Sequence, residues 1–297
     1  MKGWIKLSRL PFLSVAILPY ALGAFFAGRM TGSFSPAIFF LGLSGAILVQ
    51  LVSHYSGELY DFKEDRLSAA GPFNGGSQVL VRKIISAGQA GAAVCVSLLL
   101  AAGIGLFLQF HLNTGKWTLA LGISGIFCAL YYSKPPLRLV SRGLGEAAIA
   151  YSFGVLAVNT GFYIQASRFE VPVFLASLPV ACSIANIILI NEYPDYRADK
   201  QSLKNNLLVR LGKNKTALLY AVLVLCSGAG FILAVSAGLP RISIFVYLPV
   251  FAAAAALAFF MLKGAYRDMR RLEMMCAMTI AVSLGTSLSC MAGLLKW

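Results

Sequence analysis

Nine stretches of this sequence contain no Asp, Glu, Lys or Arg: 10–28, 30–57, 84–115, 117–133, 147–167, 171–191, 216–240, 242–262 and 274–295. Eight of them reach the roughly 18 residues at which an apolar run reads as a membrane-crossing helix, and 117–133 falls one short. No water reaches the core of a bilayer, so backbone groups there must bond within their own segment, and runs of this kind are helical. The chain is therefore expected to be all-α, a polytopic membrane bundle of nine transmembrane helices forming one domain over 1–297. Composition agrees. Charged residues make up 12% of the chain, about half the share that keeps a soluble domain in water. The first run could pass for a signal peptide, but it is longer than such segments usually are and eight more follow, so it is read as the first span.

The net charge of +14 would suit nucleic acid if it were clustered on one polar face. Assigning loops alternately to two sides shows otherwise. Arg29, Lys116, Arg168, Arg241 and Lys296 fall on one side, and the other twenty of the twenty-five basic residues fall on the other. That asymmetry is the positive-inside signal. It predicts a cytoplasmic N-terminus, an external C-terminus, an odd number of spans and contact with lipid headgroups, with no nucleic-acid role. The six cysteines, Cys95, Cys128, Cys182, Cys226, Cys276 and Cys290, all lie in apolar runs without C-x-x-C spacing. They read as small buried hydrophobes. His54 and His111 are read as structural hydrogen-bonders, although His54 lies near the acidic segment described next.

Acidic residues are scarce, yet seven of the eleven fall at the ends of the second and sixth runs. SGELYDFKEDR and INEYPDYRADK contain Glu58-x-x-Asp61-x-x-x-Asp65 and Glu192-x-x-Asp195-x-x-x-Asp199, the same spacing twice, with Glu64 as the seventh carboxylate. SQVLVRK at 77–83 and NNLLVRL at 205–211 extend the echo. Four spans separate the copies, which predicts two four-helix repeats plus a ninth helix with a site between the halves. On a helix, positions i, i+3 and i+7 share a face, so each motif would present a stripe of carboxylates. The second stripe starts after a break at Pro194. Carboxylates brought together repel and raise one another's pKa. A hard cation with oxygen ligands relieves that conflict, and Mg²⁺ bound through few carboxylates takes its remaining ligands from water and substrate phosphate. A phosphorylated substrate is thus expected between the motifs, with Lys63, Arg66, Arg82, Lys134, Arg138, Arg142, Lys204 and Arg210 on the same side to hold its oxygens. A solvated acidic loop explains either motif alone but not the repeated spacing. A transporter would be expected to carry ionisable groups at mid-membrane, where all nine runs have none. A CDP-alcohol phosphotransferase would carry D-G-x-x-A-R, which is absent.

The paired acidic motifs on the second and sixth helices resemble those of the UbiA superfamily of intramembrane prenyltransferases. YYSKPPLRLVSRGLGE at 131–146 and NNLLVRLG at 205–212 are similar to segments of its 1,4-dihydroxy-2-naphthoate branch. The resemblance implies Mg²⁺-dependent transfer of a prenyl group from a polyprenyl diphosphate to an aromatic acceptor in a bacterial plasma membrane, with the active-site loops cytoplasmic. Dihydroxynaphthoate, and hence menaquinone synthesis, is the acceptor it favours over 4-hydroxybenzoate, homogentisate, haem or a glycerophosphate. It implies metal-bearing roles for Asp61, Asp65, Asp195 and Asp199, with Glu58, Asn191 and Glu192 completing the ligand set. The first motif departs from the pattern, with Gly57 at the usual asparagine and Glu58 at the usual aspartate. Lys134 and Arg142 are the first candidates for diphosphate contact, followed by Arg82, Arg138 and Arg210. The loop at 71–83 is read as a flexible cap whose Ser77, Gln78 or Arg82 reaches the diphosphate. Tyr131, Tyr132 and Tyr60, with Phe62, Tyr151 and Phe153, are candidates for shielding an allylic cation with their ring faces.

Overall fold

The computed structural model describes residues 2–68, 71, 73 and 76–294; Pro72, Asn74 and Gly75 of the expected cap lie outside them, as does Lys296. Every regular element among these residues is helical. After the short α1 (Lys2–Ser8) come α2 (Leu10–Thr31), α3 (Pro36–Tyr60), α4 (Phe62–Leu67), α5 (Ala87–His111) and α6 (Thr118–Tyr131). Then follow α7 (Gly145–Ala166), α8 (Val171–Asn191), α9 (Tyr196–Gln201), α10 (Leu207–Leu211), α11 (Lys213–Ser236), α12 (Ile242–Leu262) and α13 (Met269–Met291). Eight of these are long and apolar enough to cross a membrane. The run 117–133 makes only the fourteen-residue α6, about 21 Å long, against a hydrocarbon core of about 30 Å.

Local chemistry sets the ends. Ser86 and Gln89 form a reciprocal capping box at the start of α5, each side chain accepting from the other's backbone N–H at 3.2 and 2.9 Å. Asp268 caps α13 by accepting from Arg271 N at 3.0 Å. α8 is the interior helix: 72% of its apolar window is buried, compared with 11% for α3, whose sides face the surroundings. α8 packs on α2, α7, α11 and α13, and α2 closes the bundle by packing on both α3 and α13. Of the six cysteines, Cys276 and Cys290 are buried as expected, whereas Cys95 and Cys226 are exposed on the bundle surface; all six are free thiols.

The tightest contact joins α2 and α7. A methyl group added at Gly23 would lie 1.8 Å from the Val158 carbonyl oxygen, and one at Gly161 would lie 2.1 Å from that of Tyr20. Small residues let backbones approach where helices gain little from the hydrophobic effect. Gly23→Ala and Gly161→Ala are each expected to lower the thermal midpoint in detergent by an amount equivalent to about 1–3 kcal/mol of overpacking strain. Gly91→Ala, at a position with open space, should leave it unchanged.

Candidate active site

The two acidic motifs fold alike, and not as continuous stripes. α3 stops at Tyr60, and Asp61, with φ −96° and ψ 13°, is the junction to the six-residue α4. α8 stops at Asn191, and after a turn Asp195, with φ −89° and ψ 0°, opens the six-residue α9. In both copies the second aspartate bonds back to the first: Asp65 N to Asp61 O, and Asp199 N to Asp195 O, each at 2.9 Å. α4 packs against α9, and Ser68 Oγ donates to Asp195 Oδ1 across the pair. The break forecast at Pro194 therefore has a counterpart at Asp61 without a proline. The downstream echo is less regular, since 207–211 is helical and 77–83 is a series of turns.

Between the motifs lies a polar cavity of about 820 Å³. Asp61, Asp65, Asn191, Glu192 and Asp195 line it, interleaved with Lys6, Arg9, Arg82 and Lys204. Glu58 and Asp199 are absent from its lining. Glu58 is 1% exposed and accepts from Arg9 at 2.9 Å and from the Ser77 backbone N–H. Asp199 accepts from Asn206 Nδ2 at 2.8 Å, and Lys204 Nζ stands 3.7 Å from its other oxygen. Asp61 accepts from Ser133 Oγ at 2.9 Å and, with Glu64, from Arg138, at 3.3 and 2.5 Å.

These charges interact strongly. Burial, followed by the charge of Glu58, pushes Asp65 up to about 8 despite Arg9 nearby. Burial pushes Asp199 up to about 6 against the pull of Lys204. Burial and the adjacent Glu146 carboxyl hold Glu192 well above the usual carboxylate range. Lys204 is raised too, for the opposite reason: burial disfavours its charge, but Asp61 and Asp199 outweigh that and lift it above the ordinary lysine value.

Among the described residues no three acidic, histidine or cysteine side chains converge into a ready-made metal cluster. The donor set nonetheless suits Mg²⁺. Asn191 Oδ1, both Glu192 carboxyl oxygens and Glu58 Oε2 are buried without a hydrogen-bond partner. They are hard oxygens beside a cavity able to admit the phosphate and water ligands that Mg²⁺ usually keeps. A metal must displace protons from raised carboxyls. Mg²⁺ affinity is therefore expected to fall as pH drops below about 8, where Asp65 takes up its proton. The slope should approach about tenfold per pH unit for each proton displaced. Titration of the purified protein with Mg²⁺, followed by its thermal midpoint between pH 5.5 and 8.5, reads this directly.

The expected diphosphate contacts divide. Arg82 lines the cavity, as do Ser77 and Gln78. Arg138 braces Asp61 and Glu64. Lys134, Arg142 and Arg210 are outside the lining; Arg142 donates to the Pro136 carbonyl and Arg210 Nε to the Asn205 carbonyl, at 2.9 and 2.8 Å. Of the aromatic candidates, Tyr132 and Phe153 border the cavity. Tyr131 packs on Phe127, Tyr60 is 38% exposed, and Tyr151 meets Ser124 at 3.1 Å. Sequence reasoning passed over Arg9, counted only as a topological charge, and named Lys204 only as one of eight bases on the side of the expected phosphate. His54 keeps its structural part, with Nδ1 2.9 Å from the Ser8 carbonyl at the cavity edge.

The model of the UbiA prenyltransferase family matches residues 16–282. This chain belongs to that family. Similar proteins include the 2-carboxy-1,4-naphthoquinone phytyltransferase of Synechocystis, 28% identical over 71% of this chain and 66% of that one. The 1,4-dihydroxy-2-naphthoate octaprenyltransferase of Bacillus subtilis is 25% identical over 73% of this chain and 68% of that one. The fold agrees with solved UbiA homologues. An apo form from Aeropyrum pernix matches with TM-score 0.74 and 17% identity over 95% of this chain and 98% of that one. One from Archaeoglobus fulgidus, bound to GPP and Mg²⁺, matches with TM-score 0.64 and 20% identity over 96% and 99%. The two acidic motifs of this UbiA-family chain both fall within the matched residues.

Proposed function

We propose that this chain transfers a polyprenyl group from its diphosphate to an aromatic acceptor, with 1,4-dihydroxy-2-naphthoate as the acceptor and menaquinone synthesis as the outcome. The observation that carries this reading is the cavity in which carboxylates of both motifs alternate with Arg9, Arg82 and Lys204 beside an apolar wall. Such a mixture suits a metal-bound diphosphate attached to a hydrocarbon. The naphthoate-type acceptor is supported by the names of the cyanobacterial and Bacillus relatives, and the donor and cation by the ligands of the Archaeoglobus homologue.

Asp61, Asp65, Asn191, Glu192 and Asp195 would hold Mg²⁺, which supplies Lewis-acid polarisation of the diphosphate oxygens. Lys204 and Arg82 stabilise the charge that builds on the leaving group as the bond between C1 and oxygen breaks and its electron pair passes to the diphosphate. Tyr132 and Phe153 exclude water from the allylic carbon and present ring faces to its positive charge. The acceptor ring supplies the electron pair of the new C–C bond and regains aromaticity by expelling the substituent on the attacked carbon. With the basic loops cytoplasmic, substrates would enter from that side of a bacterial plasma membrane.

The test is transfer by detergent-purified protein from labelled geranylgeranyl diphosphate, with and without Mg²⁺, to a panel of aromatic acceptors. Metal-dependent prenylated dihydroxynaphthoate is the expected product. Product with 4-hydroxybenzoate, homogentisate or a glycerophosphate alone would overturn the acceptor and keep the chemistry. A folded protein that binds the donor and transfers to none would point to a non-catalytic role.

A further inference from the structure

Two segments that stand out in the sequence, RGLGE at 142–146 and NNLLVRLG at 205–212, supply no side chain to the lining of the polar cavity. They lie against each other instead. Gly143 has φ 68°, and a methyl group there would lie 2.8 Å from Arg210 Cδ and 3.5 Å from Leu207 Cδ2. Glu146 makes the joint. It is 3% exposed, and its Oε1 accepts from the Leu207 backbone N–H at 2.7 Å. Leu207 opens α10, and the fully buried Asn206 caps it, with Oδ1 accepting from Val209 N at 2.9 Å. Two N–H groups of that first turn, which have no partner within the helix, are thus held by side chains. One of those side chains comes from 61 residues away.

Each side of the joint reaches the cavity. On the α10 side, Asn206 Nδ2 donates to Asp199 Oδ2 at 2.8 Å, and the Lys204 backbone N–H donates to the Asp199 carbonyl at 2.9 Å. Arg210 Nε donates to the Asn205 carbonyl at 2.8 Å, which holds the residue between Lys204 and the cap. The Lys204 ammonium stands 3.7 Å from Asp199 Oδ1, and Lys204 lines the cavity. On the α7 side, Gly145 is pressed against the ring of Tyr132, which also lines it: a methyl group on Gly145 would lie 3.1 Å from Tyr132 Cε2 and 2.8 Å from Val140 Cα. The Val140 N–H in turn donates to the Tyr132 carbonyl at 3.0 Å. The glycines let the two segments close up, and the glutamate locks them.

We propose that Glu146 is a positioning residue, which through Leu207 and Asn206 fixes the Lys204 ammonium relative to the Tyr132 ring. It thereby holds the leaving diphosphate in register with the carbon it leaves. This rests on the prenyl-transfer reading and adds to it the residue that aligns the two parts of the site. Alignment is a sensitive quantity, since a misplacement of about 1 Å can cost about a hundredfold in rate. The contact is to a backbone N–H, so it needs an acceptor oxygen and no charge. Glu146→Gln keeps that oxygen, and Glu146→Ala removes it.

The experiment uses the full chain in detergent and measures calorimetric binding of inorganic diphosphate at saturating Mg²⁺, beside turnover of a geranylgeranyl donor. Glu146→Ala should weaken diphosphate binding and lower donor kcat/KM, each by at least about tenfold, with the KM of the aromatic acceptor unchanged. Glu146→Gln should restore most of both. The double variant Glu146→Ala/Lys204→Met should be no worse than Lys204→Met alone, because both changes act on one contact. Gly143→Val disturbs the joint from the loop side; it should give the same pattern, and it replaces Glu146→Ala if that protein fails size-exclusion. Glu146 also adjoins the Glu192 carboxyl, so Mg²⁺ half-saturation is followed in the same proteins and should not move. A shift there would transfer the effect to the metal and overturn the proposal. So would additive losses in the double variant, wild-type binding and turnover in folded Glu146→Ala, or a glutamine variant as impaired as the alanine one. Diphosphate binding that follows the expected pattern without any prenylated product would overturn prenyl transfer and leave the link from Glu146 to Lys204 supported. No diphosphate binding by the wild type would overturn both.

Discussion

Asp61→Ala and Asp195→Ala are each expected to reduce prenyl transfer by at least about a thousandfold, equivalent to about 4 kcal/mol of lost transition-state stabilisation. The two aspartates hold matching positions at the junctions before α4 and α9 and face one cavity. A diphosphate held by metal from both sides loses its alignment when either side is removed. The fold should survive both changes. Arg138 keeps its 2.5 Å bond to Glu64 without Asp61, and Ser68 can turn to water when Asp195 is gone. Single-turnover transfer at saturating Mg²⁺, alongside size-exclusion and thermal midpoint, separates lost chemistry from lost structure. Either variant retaining more than about a tenth of wild-type activity would remove that aspartate from the reaction centre.

Lys204→Met should produce the second-largest effect, on donor binding and on stability together. Lys204 Nζ is only 3.7 Å from Asp199, and its side chain is 17% exposed. Breaking a buried ion pair by removing one partner costs about 3–5 kcal/mol when the remaining charge cannot be neutralised. Asp199 can be neutralised, because its pKa already stands near 6 and would rise further without the lysine. A carboxyl whose folded pKa is raised costs stability above that pKa and recovers it below. The variant's deficit in thermal midpoint is therefore expected to be largest at pH 8 and to shrink as pH falls through 6. The donor KM should rise at least about tenfold, since a charge-assisted contact to phosphate is lost. Lys204→Arg should restore most of the binding. A deficit independent of pH would show that Lys204 acts through packing alone.

How far the sequence leads can be read from individual residues. The spans were legible because lipid solvation acts on every residue of a run, so 171–191 corresponds to Val171–Asn191 residue for residue. The paired acidic motifs were legible as a pattern because an exact spacing recurs after four spans. The break at Asp61 was not, because no proline marks it and a helical continuation of FKEDR has good local propensity. Nor could spacing show which bases face the diphosphate. Arg142 and Arg210 turn to carbonyls only five or six residues away, a local choice that no hydropathy pattern records. Arg9 is placed by a left-handed backbone turn with φ 45° between α1 and α2, and its partner Glu58 is 49 residues further along.

By itself, then, the sequence determined the class of solvent, the helices and the oxygen-rich chemistry at their ends, since each follows from short-range composition and periodicity. Only the tertiary structure decided which charges share the cavity, that Glu58 and Asp199 stand behind it, and that Glu146 reaches the backbone of Leu207 from the start of another helix. Those outcomes depend on how side chains from distant spans fill the same volume, and the local pattern along any one helix does not contain that information.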